Sequence, residues 1–230
     1  MLPSRAVCEQ HLVKQFQRFI RGATFPCVGA KAALTRGRLL AVVSHDLTSS
    51  WNDAEIHSAL LSLVARYRQD LQLFQSLAVL FERPVGLSEQ AFEESMWARL
   101  QALSDRDCFE GYQYDCRVSS DPANPKFSLS FGGEAFFVVG LHPNAIRSAR
   151  RFDCPTLVFN IHDQFERLRA EGRYEGLRDA IIDRDVAFSG SANPMLSQFG
   201  EISEARQYSG RVVGHDWVCP FDASSTGSPR

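Results

Sequence analysis

Apolar positions recur at near-helical spacing over residues 8–21, with Leu12, Phe16, Phe19 and Ile20 on one stripe, and Gly22 stands where such a helix can end. Residues 25–30 (Phe-Pro-Cys-Val-Gly-Ala) read as a turn, and the chain to Val43 as a mixed segment. Ser49 or Ser50 can cap a helix with Asp53 and Glu55 in its first turn and Ile56, Leu60, Leu63, Val64 and Tyr67 along one face. Residues 76–81 form a short apolar run, as a buried strand does. Ser88 then precedes a third helical pattern carrying Phe92, Met96, Trp97, Leu100 and Leu103.

The period changes in the middle of the chain. Residues 126–131 alternate, Gly132-Gly133 supplies a two-residue turn, and 134–139 is apolar, which predicts a hairpin with a central second arm. A short basic helix is expected over 144–152 and a buried strand over 155–160. Two amphipathic helices are expected over 163–170 and 174–188. The last forty residues carry little regular pattern. The prediction is one α+β domain over 1–221, with a mixed, largely antiparallel sheet flanked by helices, and a disordered tail over 222–230.

Composition narrows the function classes. The 230 residues are 44% hydrophobic and 23% charged, with a formal net charge of −2, so neither wholesale disorder nor nucleic-acid binding through bulk charge is expected. No apolar run approaches the roughly 20 residues of a membrane span, and no secretory leader pattern opens the chain. Six cysteines without a CxxC pair are expected to be reduced thiols, in a cytoplasmic protein. Only Lys14, Lys31 and Lys126 interrupt an otherwise all-arginine set of 25 basic residues, which either reflects genome composition or serves carboxylate binding.

Several residues have chemistry to offer. His142 precedes Pro143 at the end of an apolar strand, where an extended backbone suits either an axial metal ligand or a loop imidazole bonded to a carbonyl. His162 and Glu166, four apart at a helix start, can face one metal ion or simply share a solvated face. Arg147, Arg150 and Arg151 form a basic cluster that could clamp carboxylates or simply make a solvated helix face, the reading that spacing alone favours. Cys27, Cys154 and Cys219 each adjoin a proline, a setting for a thiolate ligand or a buried thiol. P-loop, dinucleotide-binding, zincin and nucleophile-elbow signatures are all missing.

Residues 136–152 (FFVVGLHPNAIRSARRF) resemble the signature of the YqcI/YcgG family, and four further blocks agree in order: 25–30, 159–169, 190–196, and 203–211 with 217–221. Members of that family include haem-dependent N-hydroxylases of guanidine groups in antibiotic and toxin biosynthesis. The resemblance implies b-type haem, dioxygen, an external reductant or reductase, and arginine or an arginine-derived guanidine as substrate. Such an enzyme needs an axial ligand, cations for the propionates and carboxylates for a guanidinium. His142 is the first choice of ligand, then His162, then Cys219. Arg147 and Arg151 are assigned to the propionates, Glu201 and Glu204 to the guanidinium, and Tyr208 or Ser203 to the substrate's amino-acid end. A non-haem metalloenzyme built on His162, Glu166 and a third ligand, and a haem-binding protein without turnover, are the alternatives. Neither nucleic acid nor membrane is an expected partner, and a homodimer is left open.

Overall fold

The computed structural model describes residues 4–197 and 199–226. Five strands, β1 (Leu39–Asp46), β2 (Ser76–Arg83), β3 (Leu129–Phe131), β4 (Glu134–Leu141) and β5 (Thr156–Ile161), form one sheet in the order β1-β2-β5-β4-β3. The β1–β2 pair is parallel and the other three pairs are antiparallel. The fold is therefore α+β, with a mixed, largely antiparallel sheet. The hairpin β3–β4 turns on Gly132 and Gly133, whose φ angles of 59° and 75° lie in the left-handed region that glycine enters without steric cost.

Successive strand residues point to opposite faces, and the two faces bury different partners. On one, Phe136 and Val138 of β4 and Phe159 of β5 join α3 (Asp53–Gln69) and α4 (Glu89–Phe109) in the main core. Ser88 caps α4, its Oγ accepting the Ala91 N–H at 3.1 Å. The C-terminal segment closes this face through Tyr208 and Phe221, which pack on Trp97. On the other face a smaller cluster holds Phe16 and Ile20 of α1 (Arg5–Arg21) with Phe25, Leu80, Leu141 and Phe152. The rest of that face lies beneath α2 (Val28–Thr35), α5 (Asp163–Ala170) and α6 (Tyr174–Ser189).

Three expectations change. The segment before Val43 contains α2 and β1: Cys27 caps α2 by accepting the Ala30 N–H at 3.4 Å, and Leu39–Asp46 is an edge strand without alternating burial. Residues 144–152 form only a single 3-10 turn, Ser148–Arg150, flanked by Arg147 and Arg151 in extended backbone. The loop folds back on β4 instead, with the His142 N–H on the Arg150 carbonyl at 3.0 Å. The tail expected over 222–230 begins in ordered structure, a 3-10 turn at Ala223–Thr226 following the Asp222 N–H bond to Gln101 at 2.8 Å. Residues 227–230 lie outside the described residues.

Candidate functional site

The register of the sheet sets three polar or aromatic side chains side by side beneath α2 and α6. Ser76 pairs with Asn160, and Asn160 with Phe137, so one row crosses β2, β5 and β4. Ser76 Oγ donates to Asn160 Oδ1 at 2.8 Å, and Asn160 Nδ2 donates to the Phe137 carbonyl at 3.3 Å. Above this row the sheet and the helices stand apart, leaving a cavity with two lobes of about 230 and 200 Å³ that share Cys27, Ser76, Val139, Asn160 and Leu196 as walls. Jointly they fall in the lower part of the roughly 300–1,000 Å³ range of small-molecule and cofactor sites. Phe74, at φ 66°, and Gly29 meet at the rim, where a Cβ on Gly29 would sit 3.5 Å from the Phe74 ring.

The first lobe is mostly apolar, with Phe137, Phe165, Leu177 and Ile181 in its walls. His162 enters it from the junction of β5 and α5, its backbone N–H held by the Ala135 carbonyl at 2.8 Å and its ring against Phe199 at 4.3 Å. Its Nε2 is buried without a hydrogen-bond partner. Burial pushes the imidazole down to about 4, so it is neutral at pH 7 with a lone pair available.

Glu204 enters the same lobe from the residue preceding α7 (Ala205–Tyr208). Ser128 Oγ donates to its Oε2 at 2.7 Å, while its Oε1 lies 3.6 Å from His162 Nε2. Burial raises this carboxyl to about 8. Arg169 and Arg178 also line the lobe; Arg169 pairs with Glu166 and lies over the Tyr174 ring at 4.1 Å.

The other candidates are elsewhere. His142 is buried on the far side of the sheet, stacked on Phe92 at 4.4 Å, because it continues the parity of Phe136 and Val138. Arg147 borders the second lobe, but its guanidinium is paired with Asp185 and donates to the Ser191 carbonyl at 3.0 Å. Arg151 donates at 3.0 Å to the carbonyls of Ala145 and Ile146, in its own loop. Tyr208 is in the main core, its hydroxyl donating to the Phe136 carbonyl at 3.0 Å and lying 3.5 Å from Glu204 Oε2. Burial pushes the Cys219 thiol up to about 12, beside the α4 core and away from the cavity. Glu201 sits in an exposed turn outside the cavity walls, and Ser203 Oγ donates to the Pro122 carbonyl at 2.6 Å.

The structure thus brings His162 and Glu204 together and leaves the remaining assignments outside the first lobe. Ser76, Asn160 and Ser128 were missed by the sequence reading. Their signal was a polar side chain inside or beside an apolar strand run, which only the cross-strand register makes informative. Among the described residues no group of three His, Cys, Asp or Glu side chains meets the geometry of a metal site, although Glu204 Oε1 and Glu166 Oε1 lie 3.6 and 4.0 Å from His162 Nε2.

Fold and site define an α+β domain that encloses a two-lobed, largely apolar cavity with a neutral histidine and a buried carboxyl on one wall. The chain belongs to the YqcI/YcgG family, whose model matches residues 16–222. Neither a curated protein nor a solved structure matches it. No helix among the described residues is long and apolar enough to cross a membrane, and all six cysteines are unpaired.

Proposed function

We propose that this chain is a haem-dependent monooxygenase that N-hydroxylates the guanidine of arginine or an arginine-derived compound, with His162 as the residue that would hold the haem. The observation that supports it most is the buried, unpartnered Nε2 of a neutral imidazole on the wall of an apolar cavity. A neutral imidazole is the form that ligates iron, and a buried nitrogen with no partner is otherwise costly. The lining offers contacts of the kind the group needs, in a lobe that would have to widen beyond its roughly 230 Å³ to take a macrocycle. Phe137, Phe165, Leu177 and Ile181 offer apolar walls for a macrocycle, and Arg169 and Arg178 offer cations for its propionates.

When bound, haem iron supplies dioxygen activation with electrons from an external reductant. The overall change places one oxygen atom on a guanidine nitrogen; two electrons and two protons reduce the other to water. Glu204 holds the guanidinium. Ser128 Oγ fixes its Oε2; Oε1, which faces His162 Nε2 at 3.6 Å, would turn from that nitrogen to form with a guanidinium the charge-assisted pair that positions it. Arrival of the cation favours the ionised carboxylate, so Glu204 gives up a proton as substrate binds. The apolar walls keep bulk water from the reacting nitrogen.

The reaction is tested by mass spectrometry of incubations with guanidines and amines. Arginine or a related guanidine should gain one oxygen, dependent on both reductant and dioxygen. Oxidation of amines alone would overturn the substrate assignment, and no oxygenated product from a haem-loaded protein would make this a haem-binding protein without turnover.

A further inference from the structure

The second lobe of the cavity differs from the first in charge. Its walls include Arg147, Arg150 and Asp185, with Phe16, Leu141 and Val158 supplying apolar surface. Arg147 and Asp185 form an ion pair, and Ser189 Oγ adds a hydrogen bond to Asp185 at 3.0 Å. That pair is internally neutral.

Arg150 has no such counterpart. Its Nη1 donates to the carbonyls of Gly140 at 3.0 Å and Tyr208 at 3.1 Å, and its Nη2 to the carbonyl of Gln207 at 3.1 Å. Those contacts use three of the five N–H donors of a guanidinium and none of its charge. Among the described residues no carboxylate lies within ion-pair distance of it. Gly210, at φ 85°, leaves room for its aliphatic stem, which a Cβ there would meet at 3.2 Å. The charged and titratable groups facing it are Arg147, Asp185, Cys27 and His142; Asp185 is engaged by Arg147, and burial keeps Cys27 a neutral thiol and His142 a neutral imidazole. Arg150 is half-buried, and a partly desolvated cation without an anion gains from a ligand that supplies one.

We infer that the second lobe is a carboxylate-binding pocket anchored by Arg150, with the Arg147–Asp185 pair as its rigid border. The inference rests on the proposed function for the two carboxylate sources, a substrate held by Glu204 and a haem propionate. The carboxylate comes from a small molecule whose other end reaches Glu204, or from a cofactor propionate. The two lobes then form a charge-sorted slot, with a carboxyl that accepts a cation in the first and a cation that accepts a carboxylate in the second.

Equilibrium binding to the full chain separates these sources through two matched pairs: arginine against agmatine, which lacks the carboxylate, and haem against its dimethyl ester. Loss of the carboxylate should weaken one pair by about tenfold or more, the effect of one lost charge-assisted bond. A difference within the arginine pair assigns the lobe to a substrate carboxylate, and one within the haem pair assigns it to a propionate. Equal affinity within both pairs overturns the inference while leaving the cavity a ligand site. No binding of any of the four overturns both readings. Arg150→Gln, checked for folding by circular dichroism, should bring the members of the sensitive pair together. An undiminished preference in the folded variant would also overturn the assignment, and the matched pairs on the unaltered protein remain decisive if that variant does not fold.

Discussion

His162 Nε2 and Glu204 Oε1 lie 3.6 Å apart on one wall of the cavity, although they are 42 positions apart in the chain. Both side chains are nearly fully buried, and for both of them burial opposes the charged form. A neutral base and a protonated acid side by side are stable only while no charge enters. A bound cation reverses that for Glu204.

Glu204→Gln keeps the shape and the Ser128 contact but cannot ionise. It should raise KM for a guanidine about tenfold or more, in line with the roughly 1.5–3 kcal/mol of a charge-assisted bond, and lower kcat as well, while haem content stays at the wild-type level. Steady-state kinetics and haem quantification on the same preparation check this. Unchanged KM would remove Glu204 from the substrate.

How much of this was legible in the sequence depends on parity. The hairpin around Gly132 and Gly133, the apolar stripe of α3 and the cap of α4 at Ser88 are local signals, and each appears where the pattern puts it. The choice between His142 and His162 is not local. Both stand at strand ends, and their faces depend on which helices cover which side, information that resides in pairings such as Phe136 with Ile161. The arginine cluster misled for a different reason. An arginine run has the spacing of a helix face, but these guanidinium groups satisfy carbonyls of their own and neighbouring loops, and that cross-linking replaces the helix.

The Arg147–Asp185 pair is a structural bond and not a cofactor clamp. Arg147→Ala leaves a buried carboxylate alone, so unfolding free energy should fall by roughly 3–5 kcal/mol, and the double variant Arg147→Met with Asp185→Leu should recover most of the loss. Urea denaturation of the three proteins measures it. Wild-type stability in the single variant, with haem lost selectively, would return Arg147 to the cofactor.

Acid should destabilise the fold through His142. Burial lowers this imidazole from 6.5 to about 4. Between those values the unfolded chain binds the proton that the folded chain refuses, so stability contributed by neutral His142 is complete above pH 6.5 and is lost as the pH falls, at roughly 1.4 kcal/mol per pH unit. His142→Gln should show a shallower fall than the wild type between pH 6.5 and 4.5. The comparison isolates His142 from Glu204, whose raised value acts in the opposite direction over the same range. Parallel curves would mean that His142 is protonated in the folded state.

The central claim is that His162 ligates haem iron. The most direct measurement is the absorption spectrum of the purified protein, before and after dithionite and carbon monoxide, for wild type, His162→Ala and His142→Ala. The account predicts a Soret band whose carbonyl form is that of an imidazole-ligated haem, present in the wild type and His142→Ala and lost or strongly reduced in folded His162→Ala. A thiolate-type carbonyl spectrum, or a band unchanged in His162→Ala, would contradict it.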